Sequence, residues 1–156
     1  MTYEETLHYL YTSIPVFQHS GASAYKPGLG TSIALDDYLG NPHKAYKTIH
    51  VAGTNGKGSV SHLLAAILRQ SGFKVGLYTS PHLVDFRERI RVNGKKISQD
   101  YVVDFVERHR SFFEPLHPSF FELTSSMAFE YFRDQQVDYA VIEVGLGGRL
   151  DSTNII

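Results

Sequence analysis

The stretch His50-Val51-Ala52-Gly53-Thr54-Asn55-Gly56-Lys57-Gly58-Ser59-Val60 sets glycines, one lysine and hydroxyl groups between a β-branched run and an amphipathic one. Residues of these types at this spacing could hold the phosphates of a nucleotide triphosphate. Gly53, Gly56 and Gly58 allow positive φ and close backbone approach, so successive N–H groups can converge on a phosphate where a helix begins and its dipole is positive. Lys57 adds a mobile point charge, and Ser59 or Thr54 a hydroxyl for phosphate or a magnesium ion; Asn55 lies inside the same turn. The common phosphate-loop pattern is G-x-x-x-x-G-K-[ST]; here Val51 stands five places before Gly56, and Gly58 separates Lys57 from Ser59. That variant points away from GTPase-type switches. The plain alternative is a glycine-rich strand-to-helix turn with an exposed lysine.

A second candidate is Glu143, an acid near the carboxyl end of the otherwise apolar run Val137 to Val144. An unpaired charge in a buried strand is costly, so Glu143 needs a partner. Either a hydrated magnesium ion on the triphosphate or a cation such as Arg149 or Lys57 would serve. The glycines that follow, Gly145, Gly147 and Gly148, let the backbone bend around a ligand and carry Arg149 and Asp151 to the pocket edge as exposed polar groups.

These residues need a scaffold. Thr48 to Ala52 reads as a strand covered on both faces, and Val60, Leu63, Leu64, Ile67 and Leu68 recur at helical spacing until Ser71-Gly72. Lys74 to Thr79 gives a second strand, so a βαβ unit places the phosphate loop and Thr79-Ser80-Pro81-His82 on one sheet edge. Arg87 to Val92, Asn93-Gly94 and Lys95 to Ile97 form a hairpin signal. Helices are expected over residues 2–14, with Thr2 and Glu5 as a capping box, over Ser32 to Leu39, after Ser98 until Pro115, and over Ser119 to Arg133. His109 falls on an apolar stripe and reads as a packed histidine. His19 to Thr31 is rich in Gly, Ser, Ala and Pro and reads as a loop. The expected fold class is α/β, a P-loop-type parallel sheet flanked by helices and carrying a β-hairpin.

The chain has 156 residues, 42% of them hydrophobic, enough for one domain core. Its formal charge of −1 gives no long-range pull toward nucleic acid or anionic membranes. Without cysteine it can form neither disulfides nor thiolate metal sites. There is no signal-peptide pattern and no apolar run of membrane-spanning length, so a cytoplasmic protein is expected.

Four motifs together resemble folylpolyglutamate synthase and dihydrofolate synthase, within the Mur ligase superfamily of ATP-dependent amide ligases. They are Gly53 to Ser59; Thr79-Ser80-Pro81-His82-Leu83; Phe86-Arg87-Glu88-Arg89-Ile90 with its Asn93-Gly94 turn; and Glu143 through Asn154. The phosphate loop is shared with Mur ligases, while Ser-Pro-His-Leu and Arg-Glu-Arg-Ile point to the folate branch. The resemblance implies that a substrate carboxylate attacks the γ-phosphate of MgATP and that the amine of L-glutamate then displaces phosphate from the acyl phosphate. It implies that Lys57 and the loop hold the β and γ phosphates and that Ser80 and Glu143 are magnesium ligands. Dihydropteroate or folate would contact Gly28-Leu29, Phe121-Glu122 and Leu150-Asp151-Ser152, with His82 and Arg149 nearby and His82 read as structural.

Members of that family are long, and the full-length enzyme is expected to be monomeric. On this reading residues 1–156 are the N-terminal part of the ATP-binding, central-type domain. The C-terminal glutamate-binding domain is absent, the chain alone is inactive as a ligase, and Ile155-Ile156 begin another strand with an exposed edge. The alternatives are a Mur-type peptidoglycan ligase and a nucleotide-binding module without ligase activity.

Overall fold

The computed structural model describes residues 1–14 and 28–156, so the loop expected from His19 lies, up to residue 27, outside the described residues. In chain order the elements are α1 (Tyr3–Ser13), α2 (Gly30–Tyr38), β1 (Lys47–Val51), α3 (Lys57–Gln70), β2 (Val75–Tyr78), β3 (Ile90–Val92), β4 (Lys95–Lys96), α4 (Gln99–Phe113), α5 (Phe120–Asp134) and β5 (Tyr139–Glu143). Short 3-10 turns occupy Pro42–Ala45, Phe86–Arg89 and Glu114–Leu116. The helix starts follow from side chains that satisfy free N–H groups. Thr2 with Glu5 and Ser119 with Glu122 form capping boxes, and the Ser98 hydroxyl accepts from the Tyr101 N–H.

The strands form one sheet in the order β1-β5-β2-β3-β4. β1, β5 and β2 are parallel, and β3 and β4 close the far side as an antiparallel hairpin. Asn93 and Gly94 take φ of 48° and 79°, the two left-handed positions a type I′ turn requires. The hairpin arm begins at Ile90 rather than Arg87. Asp85 and Glu88 form a further capping box, which takes the N–H groups of the preceding residues out of strand pairing and winds Phe86–Arg89 into a 3-10 turn.

Side chains alternate across the sheet. Tyr78, Ala140 and Ile142 meet the larger core, which draws Leu10, Leu35, Phe105, Leu123 and Phe132 from α1, α2, α4 and α5. Val75, Leu77 and Val141 point the other way, onto Leu64, Ala65 and Leu68 of α3. The apolar stripe of α3 is thus only half used. Leu63 and Ile67 are 62% and 54% exposed, because α3 rests over β5 and β2 and no described element lies beyond it.

The expected strand at Ile155-Ile156 is not there. Residues 151–155 turn, held by the Asn154 N–H donating to the Asp151 carbonyl, and both isoleucines pack half-buried against the larger core. The two sheet edges are β1, which pairs only with β5 among the described residues, and the two-residue β4.

Candidate nucleotide and acid site

Register brings the predicted chemistry to one place. Val51 lies opposite Glu143 and Tyr78 opposite Ile142, so the loops after β1, β2 and β5 all leave the same edge. After β1 the loop is exposed through Gly56, whose φ of 75° suits glycine at the entry to α3. The Val60 N–H already donates to the Gly56 carbonyl, so the N–H groups of Lys57, Gly58 and Ser59 are the ones the helix leaves free. A methyl group on Gly56 or Gly58 would meet nothing within 4 Å, which is the open backbone a phosphate needs. Lys57 Nζ donates to the Gly53 carbonyl at 2.8 Å, arching over the loop with two further ammonium protons to give.

Glu143 is 5% exposed, and its Oε2 accepts from the Ser80 N–H at 3.3 Å. Burial raises the Glu143 carboxyl above the usual glutamate range, against the opposing pull of that N–H and of Lys57. No ion pair to Lys57 or Arg149 forms among the described residues. The buried carboxyl thus lies beside the phosphate loop with the Ser80 N–H as its hydrogen-bond partner.

The segment after β5 is built differently from its sequence reading. Asp151 is buried, not exposed: Oδ1 accepts from the N–H groups of Gly145 and Leu146, and Oδ2 from the N–H and hydroxyl of Thr153. Thr153 Oγ1 in turn receives His50 Nε2 at 2.8 Å. Because the threonine proton goes to Asp151, His50 is the donor of that bond. Burial lowers the His50 pKa, in keeping with the neutral ring. The Asp151 carboxylate thus clamps the glycine segment to β1. Of the three glycines only Gly147, at φ 70°, needs a left-handed backbone. Gly145 is there for space: a methyl group on it would lie 2.4 Å from Cζ of Phe121, whose ring also packs on Tyr78 at 5.7 Å. Arg149 and Leu150 are exposed and Ser152 half-buried.

His82 is fixed from both sides. Arg89 Nε donates to Nδ1 at 2.7 Å, so the ring proton sits on Nε2 and reaches the Tyr11 hydroxyl at 3.1 Å. Burial, then the Arg89 charge, lowers the His82 pKa. The Glu88 carboxylate accepts from the N–H groups of Leu83, Val84 and Asp85 and so shapes the loop after Ser80. His109 is packed as expected and also bonds the buried Glu130 at 3.0 Å. Glu122 Oε2 accepts from the Ser119 N–H in its capping box. Gly28 and Leu29 precede α2, with Leu29 as its N-cap and the Leu29 carbonyl accepting from the Ile33 N–H; no described contact joins them to the phosphate loop.

Sequence reasoning missed His50, Thr153 and Glu88. An Asp-x-x-Glu capping signature at Asp85 and Glu88 was available for the last, whereas nothing local links His50 to Thr153. No helix among the described residues is long and apolar enough to cross a membrane.

No protein-family model matches the chain. It is 42% identical over 138 residues to dihydrofolate synthase/folylpolyglutamate synthase of Bacillus subtilis, covering 84% of this chain and 32% of that protein. The crystal structure of folylpolyglutamate synthase from Thermotoga maritima superposes with TM-score 0.88 at 49% identity, over 99% of this chain and 35% of the other. A folylpolyglutamate synthase (FPGS) solved as an FPGS–AMPPCP–folate complex superposes with TM-score 0.87 at 40% identity, over 100% of this chain and 38% of that one. The chain spans about a third of the length of these relatives. In sequence along its whole length, and in the strand order that gathers loop, Ser80 and Glu143, it belongs to the folylpolyglutamate synthase/dihydrofolate synthase family.

Proposed function

We propose that the chain supplies the ATP-binding part of a cytoplasmic, ADP-forming ligase that joins L-glutamate to dihydropteroate or to a reduced folate. The observation that carries this reading is the Ser80–Glu143 contact at 3.3 Å, set on the same edge as the phosphate loop. Support for the substrates comes from the relative solved with AMPPCP and folate.

The N–H groups of Lys57, Gly58 and Ser59 and the Lys57 ammonium would take the β and γ phosphates, with Gly53 to Gly56 keeping the approach open. A carboxylate oxygen of the folate-type acid attacks the γ-phosphorus, and ADP leaves. The glutamate amine then attacks the acyl carbon, and inorganic phosphate leaves. Both steps ask for alignment and charge neutralisation rather than a protein nucleophile. Magnesium fits the donor set, since Ser80 and Glu143 offer hard oxygens and Glu143 forms no ion pair among the described residues. Bound there, the ion would neutralise phosphate charge. We assign the folate-type acid to the wall formed by Phe121 and Leu150 to Ser152, with Gly28-Leu29 and Arg149 at its margin. His82, Glu122 and Asp151 position that wall, since their polar atoms already hold backbone or side-chain partners.

The test is a chimera in which this chain replaces the matching third of the Thermotoga maritima relative. Release of ADP that requires both the folate-type acid and glutamate, and that disappears in Lys57→Ala, is the expected result. A folded chimera that binds nucleotide but never couples it to glutamate would favour the nucleotide-binding module instead.

A further inference from the structure

The sheet edge opposite the phosphate loop carries a cleft of about 500 Å3. Lys74 reaches it from the start of β2, Lys95 and Lys96 from β4, and Ser98, Tyr101 and Tyr131 from α4 and α5. Its position is set by the Asn93-Gly94 turn, because Asn93 exchanges two hydrogen bonds with Val75 and so folds the hairpin over the beginning of β2. One wall is aromatic: the Tyr101 and Tyr131 rings meet edge to face with centroids 4.8 Å apart.

The charges of this cleft do not cancel. Lys96 is paired with Asp85 at 3.0 Å, but Lys74 and Lys95 have no carboxylate partner among the described residues. Arg69 at the end of α3, whose guanidinium lies against Gly94, adds a third unpaired cation at the same turn. No acid is among the lining residues, although two carboxylates lie close by. Asp138 accepts the Lys74 backbone N–H at 2.7 Å, and Asp134 accepts the Tyr101 hydroxyl at 2.7 Å. Two unpaired lysines lining a concave, partly aromatic surface with hydroxyl groups, with Arg69 outside the lining at the adjoining turn, make a receptor for negative charge, of a size within the ordinary range for small-molecule sites.

We propose that this cleft binds a small polyanion, a short chain bearing two or more closely spaced carboxylates or phosphates. Lys74 and Lys95 supply the charge, Ser98 a hydroxyl, and the two tyrosine rings one wall. The site is separate from the phosphate loop and stands whatever that loop does.

Two probes distinguish the chemical source: γ-linked tri-L-glutamate and inorganic tripolyphosphate, titrated calorimetrically into this chain at low salt. The double variant Lys74→Gln/Lys95→Gln should weaken binding of at least one probe roughly tenfold, as two partly solvated ion contacts would. Lys57→Ala should leave that binding in place. Loss with the glutamate probe alone assigns the site to polycarboxylates, and loss with tripolyphosphate alone assigns it to phosphates. The proposal is overturned if neither probe binds, if Lys57→Ala removes all binding, or if the distant Lys44→Gln weakens it as much as the double variant does. Lys95 is exposed and Lys74 half-buried, and an unchanged melting temperature in the double variant secures the comparison.

Discussion

Gly145→Ala is expected to destabilise the protein through one neighbour, Phe121. A methyl group at Gly145 would fall 2.4, 2.6 and 2.9 Å from three atoms of that ring, where ordinary contact is 3.4–4 Å. The ring must therefore retreat by about 1 Å or swing out. Gly145 does not adopt a left-handed φ, so no backbone strain adds to the cost. Phe121 is half-buried, and losing its burial is worth about 1 to 2 kcal/mol, with a further ~0.5 kcal/mol for its tilted contact with Tyr78. The total is about 2 kcal/mol. Urea unfolding of the parent, Gly145→Ala, Phe121→Ala and the double variant measures it. Each single change should cost about 2 kcal/mol, and the double variant no more than Phe121→Ala alone, because the clash vanishes with the ring. Strict additivity in that cycle would refute the steric role given to Gly145.

Three further outcomes follow from the same geometry. Gly76→Ala presses a methyl group to 2.6 Å from the fully buried Phe132 ring, which has nowhere to go, and should cost about 3 kcal/mol by thermal unfolding. At Asp85 burial opposes ionisation, but the Arg87 N–H and the Lys96 and Arg87 side chains outweigh it and hold the carboxyl at about 2, below its ordinary 3.8. Its contribution is complete above about pH 4 and lost as pH falls through 2, so Asp85→Asn should cost about 1 kcal/mol at neutral pH, after allowance for solvent screening, with the deficit vanishing in acid unfolding curves. Thr153→Val cuts the His50–Thr153–Asp151 chain and should speed amide exchange at Gly145 and Leu146 while lowering stability by about 1 to 2 kcal/mol.

Much of the scaffold was legible because local physics decided it. The β-branched runs became β1, β2 and β5, Asn93-Gly94 gave the turn its two left-handed residues, and Thr2, Ser98 and Ser119 each started a helix with their own side chains. Placing Glu143 beside Ser80 was legible too, since parallel strands deliver their carboxyl ends to one edge. What stayed hidden depends on contacts far apart in sequence. Asp151 looked like an exposed group at a pocket rim, yet it turns inward because four donors from Gly145, Leu146 and Thr153 converge on it. Nothing in the α3 periodicity says which side of its stripe the sheet covers: β5 and β2 lie beneath Leu64 and Leu68, and Leu63 and Ile67 are left exposed. The Glu122 carboxylate serves its own helix start, a pattern readable from Ser119 three residues earlier.

Titrating AMPPCP into this chain with and without magnesium tests whether Lys57 and the buried Glu143 jointly hold a magnesium-bound triphosphate. Magnesium-dependent binding that falls roughly tenfold or more in both Lys57→Ala and Glu143→Gln is the predicted result. Binding that ignores magnesium, or that survives both substitutions unchanged, would contradict it.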